Sequence, residues 1–197
     1  MNAGPAHSYS GSNGTGANPF NPYFFPRDQF STQIIIVHPN VLAAIEAGDN
    51  RASKFLRRSE ANEVTNQAFL GYTATHQDGR WFTNQDNVPI IRNEELILLY
   101  AEANAQNGNL SEAVNAINIV RATAGLGAFT GSGNTAVIDQ ILTERRLSLW
   151  HEPIGHRWVD LRRYGRLSEI EQAFIANDEA VIPQLARPTE EVNWDNR

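Results

Sequence analysis

Apolar residues recur along this chain at helical spacing in its second half and lose that regularity in the middle of its first. Leu96, Leu99, Tyr100 and Ala103 share one face of a helix that Gly108-Asn109 ends. Ala113, Val114, Ile117 and Val120 form the next stripe, which runs to Gly125; Asn109 with Glu112 three residues on has the form of a capping box, and Ser111 is the alternative cap. A third stretch, residues 136–150, sets Ile138, Ile141, Leu142, Arg145 and Leu149 on one side, and Pro153 closes it. Upstream, Val41, Leu42 and Ile45 predict a short helix over residues 39–48 that Gly48-Asp49 stops. Between residues 55 and 89 no helical period holds. There Gln77-Asp78-Gly79-Arg80, followed by Trp81-Phe82-Thr83, predicts a small hairpin turning on Asp-Gly.

Two helices joined by a Gly-Asn turn lie antiparallel, which buries Leu99 and Ala103 against Val114 and Ile117, while Ala101, Ala105, Ala113 and Ala116 permit close approach. This is a helical hairpin of the tetratricopeptide kind. Only one such unit is visible, so its apolar flank needs a cover, either from the third helix or from part of a longer protein. The expected fold is mainly α: a tetratricopeptide-like hairpin plus packed C-terminal helices, with irregular loops and a minor β-hairpin. Residues 1–197 read as one domain, with a flexible, aromatic-ended segment at 1–27, a helical core at 88–167 and a C-terminal tail at 168–197 packing on the domain.

Composition narrows the function classes. A chain of 197 residues, 41% hydrophobic, buries one sizeable core. The formal net charge of -6 argues against nucleic acid, whose phosphates call for clustered Lys and Arg. Cysteine is absent, which removes disulfides and thiolate chemistry. No run of about 18 apolar residues occurs to span a bilayer as a helix. The first residues, Met1-Asn2-Ala3-Gly4-Pro5, lack the basic and apolar regions of a signal peptide, so a mature form or a fragment is expected.

Three blocks carry a family resemblance. Residues 88–103, VPIIRNEELILLYAEA, look like the helix that opens the last helical repeat of SusD/RagB proteins. Residues 113–125, AVNAINIVRATAG, are similar to that family's next helix, and ILTERRLSL at 141–149 followed by GHRWVDLRR at 155–163 resembles its C-terminal signature. The match is specific over about residues 88–167 and weaker at 39–55 and 188–193. It departs from the family at Glu152 and Gly155, which Pro153-Ile154 separates, and in length, since the family is typically more than twice this size, with a lipidated N-terminal Cys and earlier helical repeats. A C-terminal portion is therefore expected. The resemblance implies a non-catalytic protein at the outer-membrane cell surface, lipid-anchored in its full-length form. The same resemblance implies that it captures a glycan or other nutrient and passes it to a SusC-like TonB-dependent transporter.

Sugar recognition needs aromatic faces for the C–H side of the ring and amide, carboxylate or guanidinium groups for the hydroxyls. Tyr23, Phe24, Tyr72, Trp81, Asn84 and Asp86 are the candidate contacts, with packing of the loops and tail as the competing explanation. Arg145, Arg146, Arg157, Arg162, Arg163 and Arg166 alternate with Glu144, Glu152 and Asp160, and among them Glu144, Arg145, Arg157 and Asp160 are expected to form a structural ion-pair network rather than catalytic machinery. Removal of Arg157 should then destabilise the fold. His151-Glu152 and His156 invite a zinc-protease reading, but the spacing is five rather than four and Pro153 interrupts the helix. There is no phosphate loop with its Lys, no Gly-x-Ser-x-Gly elbow and no calcium-loop run. No catalytic residue, metal or cofactor is expected. Two further readings stand beside the binding module: a tetratricopeptide-type adaptor gripping a peptide, and a glycan-active enzyme using paired carboxylates.

Overall fold

A computed structural model of the chain describes residues 5–9, 21–28, 34–65, 73–152 and 156–170. In chain order the elements are β1 (Ala6–His7), α1 (Pro39–Leu42), β2 (Phe55–Arg57), β3 (Val64–Thr65), β4 (Thr73–Ala74), β5 (His76–Asp78), β6 (Val88–Pro89), α2 (Asn93–Gln106), α3 (Leu110–Thr123), α4 (Asn134–Ser148) and α5 (His156–Arg163). Short 3-10 turns at Asn50–Lys54 and Glu60–Asn62 join them. The strands form three separate antiparallel pairs, β1 with β6, β2 with β5 and β3 with β4. Architecture and composition agree with the mainly helical expectation.

The core lies where α2, α3 and α4 meet. Ala101 and Ala105 of α2, Ala113, Ala116 and Ile117 of α3, and Val137, Ile138, Ile141 and Leu142 of α4 are all buried together. Four alanines at the α2–α3 contact leave no side-chain bulk between the backbones, so the two helices approach closely before α4 fills the remaining side. The turn between them depends on Gly108, whose φ of +80° a side chain would strain. A smaller cluster of Val37, Val41, Phe55 and Leu147 packs α1 and β2 onto the end of α4, with Trp150 edge-on to Phe55.

The structure corrects four details. The buried face of α2 is Leu98, Ala101, Glu102 and Ala105, whereas Leu99 is 56% exposed and Ala103 also faces outward. Helix α2 is apolar over most of its circumference, so periodicity could not choose a face; Glu102 chooses it, because its carboxylate has arginine partners inside. Second, Gly79 does not turn a hairpin. Strand β5 pairs back to β2, and a Cβ on Gly79 would lie 2.7 Å from that of Leu56, so the glycine serves close strand approach. Third, no capping box forms: Asn109 precedes α3 without a side-chain cap bond. Fourth, only Pro39–Leu42 of the segment at 39–48 is helical, the rest proceeding through turns in which Ala44 and Ile45 donate to Val41 and Leu42.

Adjacent charges on α4 hold the assembly from two sides. Glu144, 0% exposed, accepts from Arg51 Nη1 at 2.6 Å, Arg121 Nη1 at 3.0 Å and Gln140 Nε2 at 2.7 Å. Arg145 donates to Asp160 Oδ1 at 2.6 Å and Glu102 Oε2 at 2.7 Å, and Arg163 joins the same two acids. Arg157, expected in this network, instead pairs with Glu169 at the surface. Burial pushes the Glu102 carboxyl up, but hydrogen bonds from Tyr164, Arg163 and Arg145 outweigh it and hold the group below the ordinary range.

Arg145→Ala leaves the buried Glu102 and Asp160 with only the half-exposed Arg163 as a shared cation and should cost about 3 kcal/mol in chemical denaturation. Arg157→Ala removes an exposed pair and should cost about 1 kcal/mol or less. The stability contributed by Glu102 is present above its unfolded value of about 4.3 and is lost as pH falls through its lower folded value. The melting temperature should therefore drop on acidification below about pH 4, and less steeply in Glu102→Gln.

Candidate functional site

Residues 5–9 and 21–23 lie against β6 and the loop before it and form part of the wall of a cavity beside the start of α2. Ala6 and His7 of β1 stand opposite Pro89 and Val88 of β6, and the Ile90 amide donates to the Pro5 carbonyl at 2.8 Å. Further on, Asn21 is 3% exposed and fastens the segment by three bonds. Its amide donates to Asn84 O at 2.7 Å, its Nδ2 to Asp86 O at 2.9 Å, and its Oδ1 accepts from the Tyr23 amide at 2.8 Å. Those bonds fix where the Tyr23 ring stands.

The enclosed volume is about 320 Å³, at the lower end of the roughly 300–1,000 Å³ usual for small-molecule sites. Val88, Pro89, Ile90 and Leu149 supply its apolar surface, and His7, Tyr9 and Tyr23 its rings. Arg92, Glu95, Glu152 and His156 supply polar groups. Burial, and then the neighbouring Tyr23, push the Tyr9 hydroxyl above its ordinary value, so it is held as a neutral donor.

Behind Tyr23 lies a stack of rings and charge. Tyr23 stacks on Trp81 with centroids 6.3 Å apart and meets His151 edge-on at 5.6 Å. The Arg80 guanidinium stands 5.0 Å from the Trp81 ring centre and 5.4 Å from that of Trp150. It also binds Asp78 Oδ2 at 2.7 Å and Glu152 Oε1 at 3.2 Å, and Arg92 Nε reaches the same Glu152 oxygen at 2.9 Å. One carboxylate thus ties β5, the end of α4 and the start of α2 together. Burial, then Arg80, push the His151 imidazole below its ordinary value.

Of the five sequence candidates among the described residues, Tyr23 alone lines the cavity. Trp81, 8% exposed, supports it from behind. Asn84 and Asp86 lend backbone carbonyls to Asn21, and the Asp86 carboxylate accepts from the Thr83 amide and hydroxyl at 3.0 and 2.8 Å, holding its own turn. Phe24 is half-buried beside the Asn21 turn, and Tyr72 lies outside the described residues. His7, Tyr9, Arg92 and Glu95 had no signal in the sequence. His156 drew notice only in the zinc-protease reading, and Glu152 there, in the alternation of charges and as a departure from the family pattern; among the described residues no cluster of three or more His, Asp or Glu is placed to hold a metal ion.

A second cavity, of about 190 Å³, lies on the other side of Arg92 and holds Arg51 and Lys54. Lys54 Nζ donates to the carbonyls of Leu147 and Ser148 at 3.0 and 2.6 Å, at the end of α4. Burial, with Arg92 and Arg80 nearby, pushes it down to about 7. Its cations are spent on internal partners, so it offers no ready anion site.

Residues 46–196 match the model of the SusD family. The fold is shared with a SusD superfamily protein from Bacteroides vulgatus ATCC 8482, at a TM-score of 0.53 and 20% identity over 71% of this chain and 35% of that one. A SusD superfamily protein from Parabacteroides distasonis ATCC 8503 gives 0.51 and 20% over 65% and 31%. This chain spans about a third of the length of those structures. No curated protein matches it.

Asn21→Ala removes both side-chain ties of the N-terminal segment. It should raise amide hydrogen exchange at residues 6–9 and 21–24 with little change in exchange across α3.

Proposed function

Because the chain belongs to the SusD family, we propose that it is a non-catalytic nutrient-binding element whose ligand, a glycan, enters the cavity beside Tyr23. In this reading the protein works at the outer-membrane surface, lipid-anchored in its full-length form, and passes the ligand to a SusC-like TonB-dependent transporter. Proteins of this family are generally binding proteins rather than enzymes, and the chemistry of the cavity fits that role.

The observation that carries the proposal is the composition of the cavity wall. Tyr9 and Tyr23 present ring surface beside an apolar floor, while Arg92, Glu95 and Glu152 stand within the same volume. A sugar has both kinds of surface: its C–H face gains by leaving water against a ring, and its hydroxyls must recover the hydrogen bonds they give up. Tyrosine hydroxyls, a guanidinium and carboxylates supply those bonds without a nucleophile or a metal.

The adaptor reading has one observation in its favour. Leu96, Leu99 and Tyr100 of α2 are each more than half exposed and lie on one helical face. A peptide held there would not depend on Tyr23.

A glycan array followed by titration calorimetry distinguishes these. Tyr23→Ala should weaken binding of the array's best ligand about tenfold, or ~1.4 kcal/mol, with the melting temperature recorded alongside. Unchanged affinity in that variant places the ligand elsewhere, and turnover of the glycan returns the enzyme reading.

A further inference from the structure

One carboxylate on the cavity wall pairs with no arginine or lysine among the described residues, and it bears on the choice of ligand. Glu152 is flanked by Arg80 and Arg92 at 3.2 and 2.9 Å, and Asp78 accepts from Arg80 at 2.7 Å. Two acids and two arginines therefore neutralise one another. Glu95 is left over. Its nearest recorded partner is the His156 imidazole, with Nε2 at 3.9 Å, beyond hydrogen-bond reach, and among the described residues no arginine or lysine pairs with it. The carboxylate sits in the first turn of α2, the end of a helix where negative charge is favoured; its side chain is 24% exposed, and the residue lines the cavity.

Its surroundings favour a cation over a neutral group. The faces of Tyr9 and Tyr23 are electron-rich and attract positive charge. The floor of Val88, Pro89, Ile90 and Leu149 limits the water that would screen the interaction. A hydrogen bond from an ammonium to a carboxylate is roughly twice as strong as one between neutral groups. Among the described residues Arg92 is the one arginine or lysine on the wall, and its Nε is already bonded to Glu152.

We propose that the cavity takes the amine-bearing unit of an amino sugar, with the sugar ammonium on the Glu95 carboxylate and the ring against the tyrosines. The proposal rests on the glycan-binding reading and narrows it: the selecting group is Glu95, and the selected feature is a free amine in place of a hydroxyl or an acetamide.

Short β-1,4-linked oligomers of glucose, N-acetylglucosamine and glucosamine share one backbone and differ only at C2, so they isolate that feature. Titration of the full chain with each, together with an oligoglucuronate, should give about tenfold tighter binding for the free amine than for the other three. Glu95→Gln should bring the ratio of amine to hydroxyl oligomer close to one, and added salt should reduce it in the unsubstituted protein. Equal affinity for the three β-1,4 oligomers, an unchanged ratio in Glu95→Gln, or tightest binding of the oligoglucuronate overturns the proposal. If Glu95→Gln does not fold, the comparison among the isosteric oligomers and its salt dependence still decide it. Binding without amine preference, or of none of these oligomers, overturns this inference alone; the glycan reading falls with it only if the glycan array also yields no ligand.

Discussion

Two adjacent side chains on α4, Glu144 and Arg145, carry opposite charges into the interior on different sides of the helix, and the rest of the structure is arranged around keeping both satisfied. Glu144 is 0% and Arg145 5% exposed. Leaving either ion without partners in the interior would cost several kcal/mol, so partners must arrive from elsewhere in the chain. Arg51 and Arg121 bring the 3-10 turn at Asn50–Lys54 and helix α3 to one side. Glu102 and Asp160 bring α2 and α5 to the other. Apolar packing would tolerate α2 in several rotations; the acid on its inner face admits one.

That arrangement also positions the site. Just beyond the end of α4 come Leu149, Trp150, His151 and Glu152, which reach the cavity or its supporting stack. Arg80 and Arg92 converge on Glu152 and so tie the sheet and the start of α2 to that same end. Residues 6 and 7 pair with β6, and the buried Asn21 holds Tyr23 in place. The scaffold is held by an apolar core and buried charge pairs, while the cavity is lined by rings, an apolar floor, the paired Arg92 and Glu152, and Glu95, which pairs with no arginine or lysine among the described residues. The division separates what holds the fold from what is free to meet a ligand.

Legibility in the sequence followed the range of the interactions. Helices α2, α3 and α4 and the family signature could be read because helix formation and glycine stops are local. The alanines of the α2–α3 contact were legible for the same reason, since small residues at helical spacing mean close approach whatever the partner. The face of α2 was misread because Leu96, Leu99, Tyr100 and Ala103 form as good a stripe as Leu98, Ala101 and Ala105. The glycine after Asp78 was read as a turn, yet its partner is Leu56, more than twenty residues away. Among the ligand candidates, aromatic content led to Tyr23 and Trp81, but no local pattern led to Glu95.

The sequence by itself determined that this chain is a helical SusD-type module, that its interior would contain charge needing charge, and that it holds no cysteine, no phosphate-loop motif and no His-Glu spacing of the zinc-protease kind. These follow from residue types and short spacings. Only the tertiary structure decided which face of α2 is inside, which arginine answers which acid, and which carboxylate is left facing a cavity. Each of those depends on the relative placement of segments far apart in the chain, and periodicity along one helix holds no information about the charge that a distant helix will bring against it.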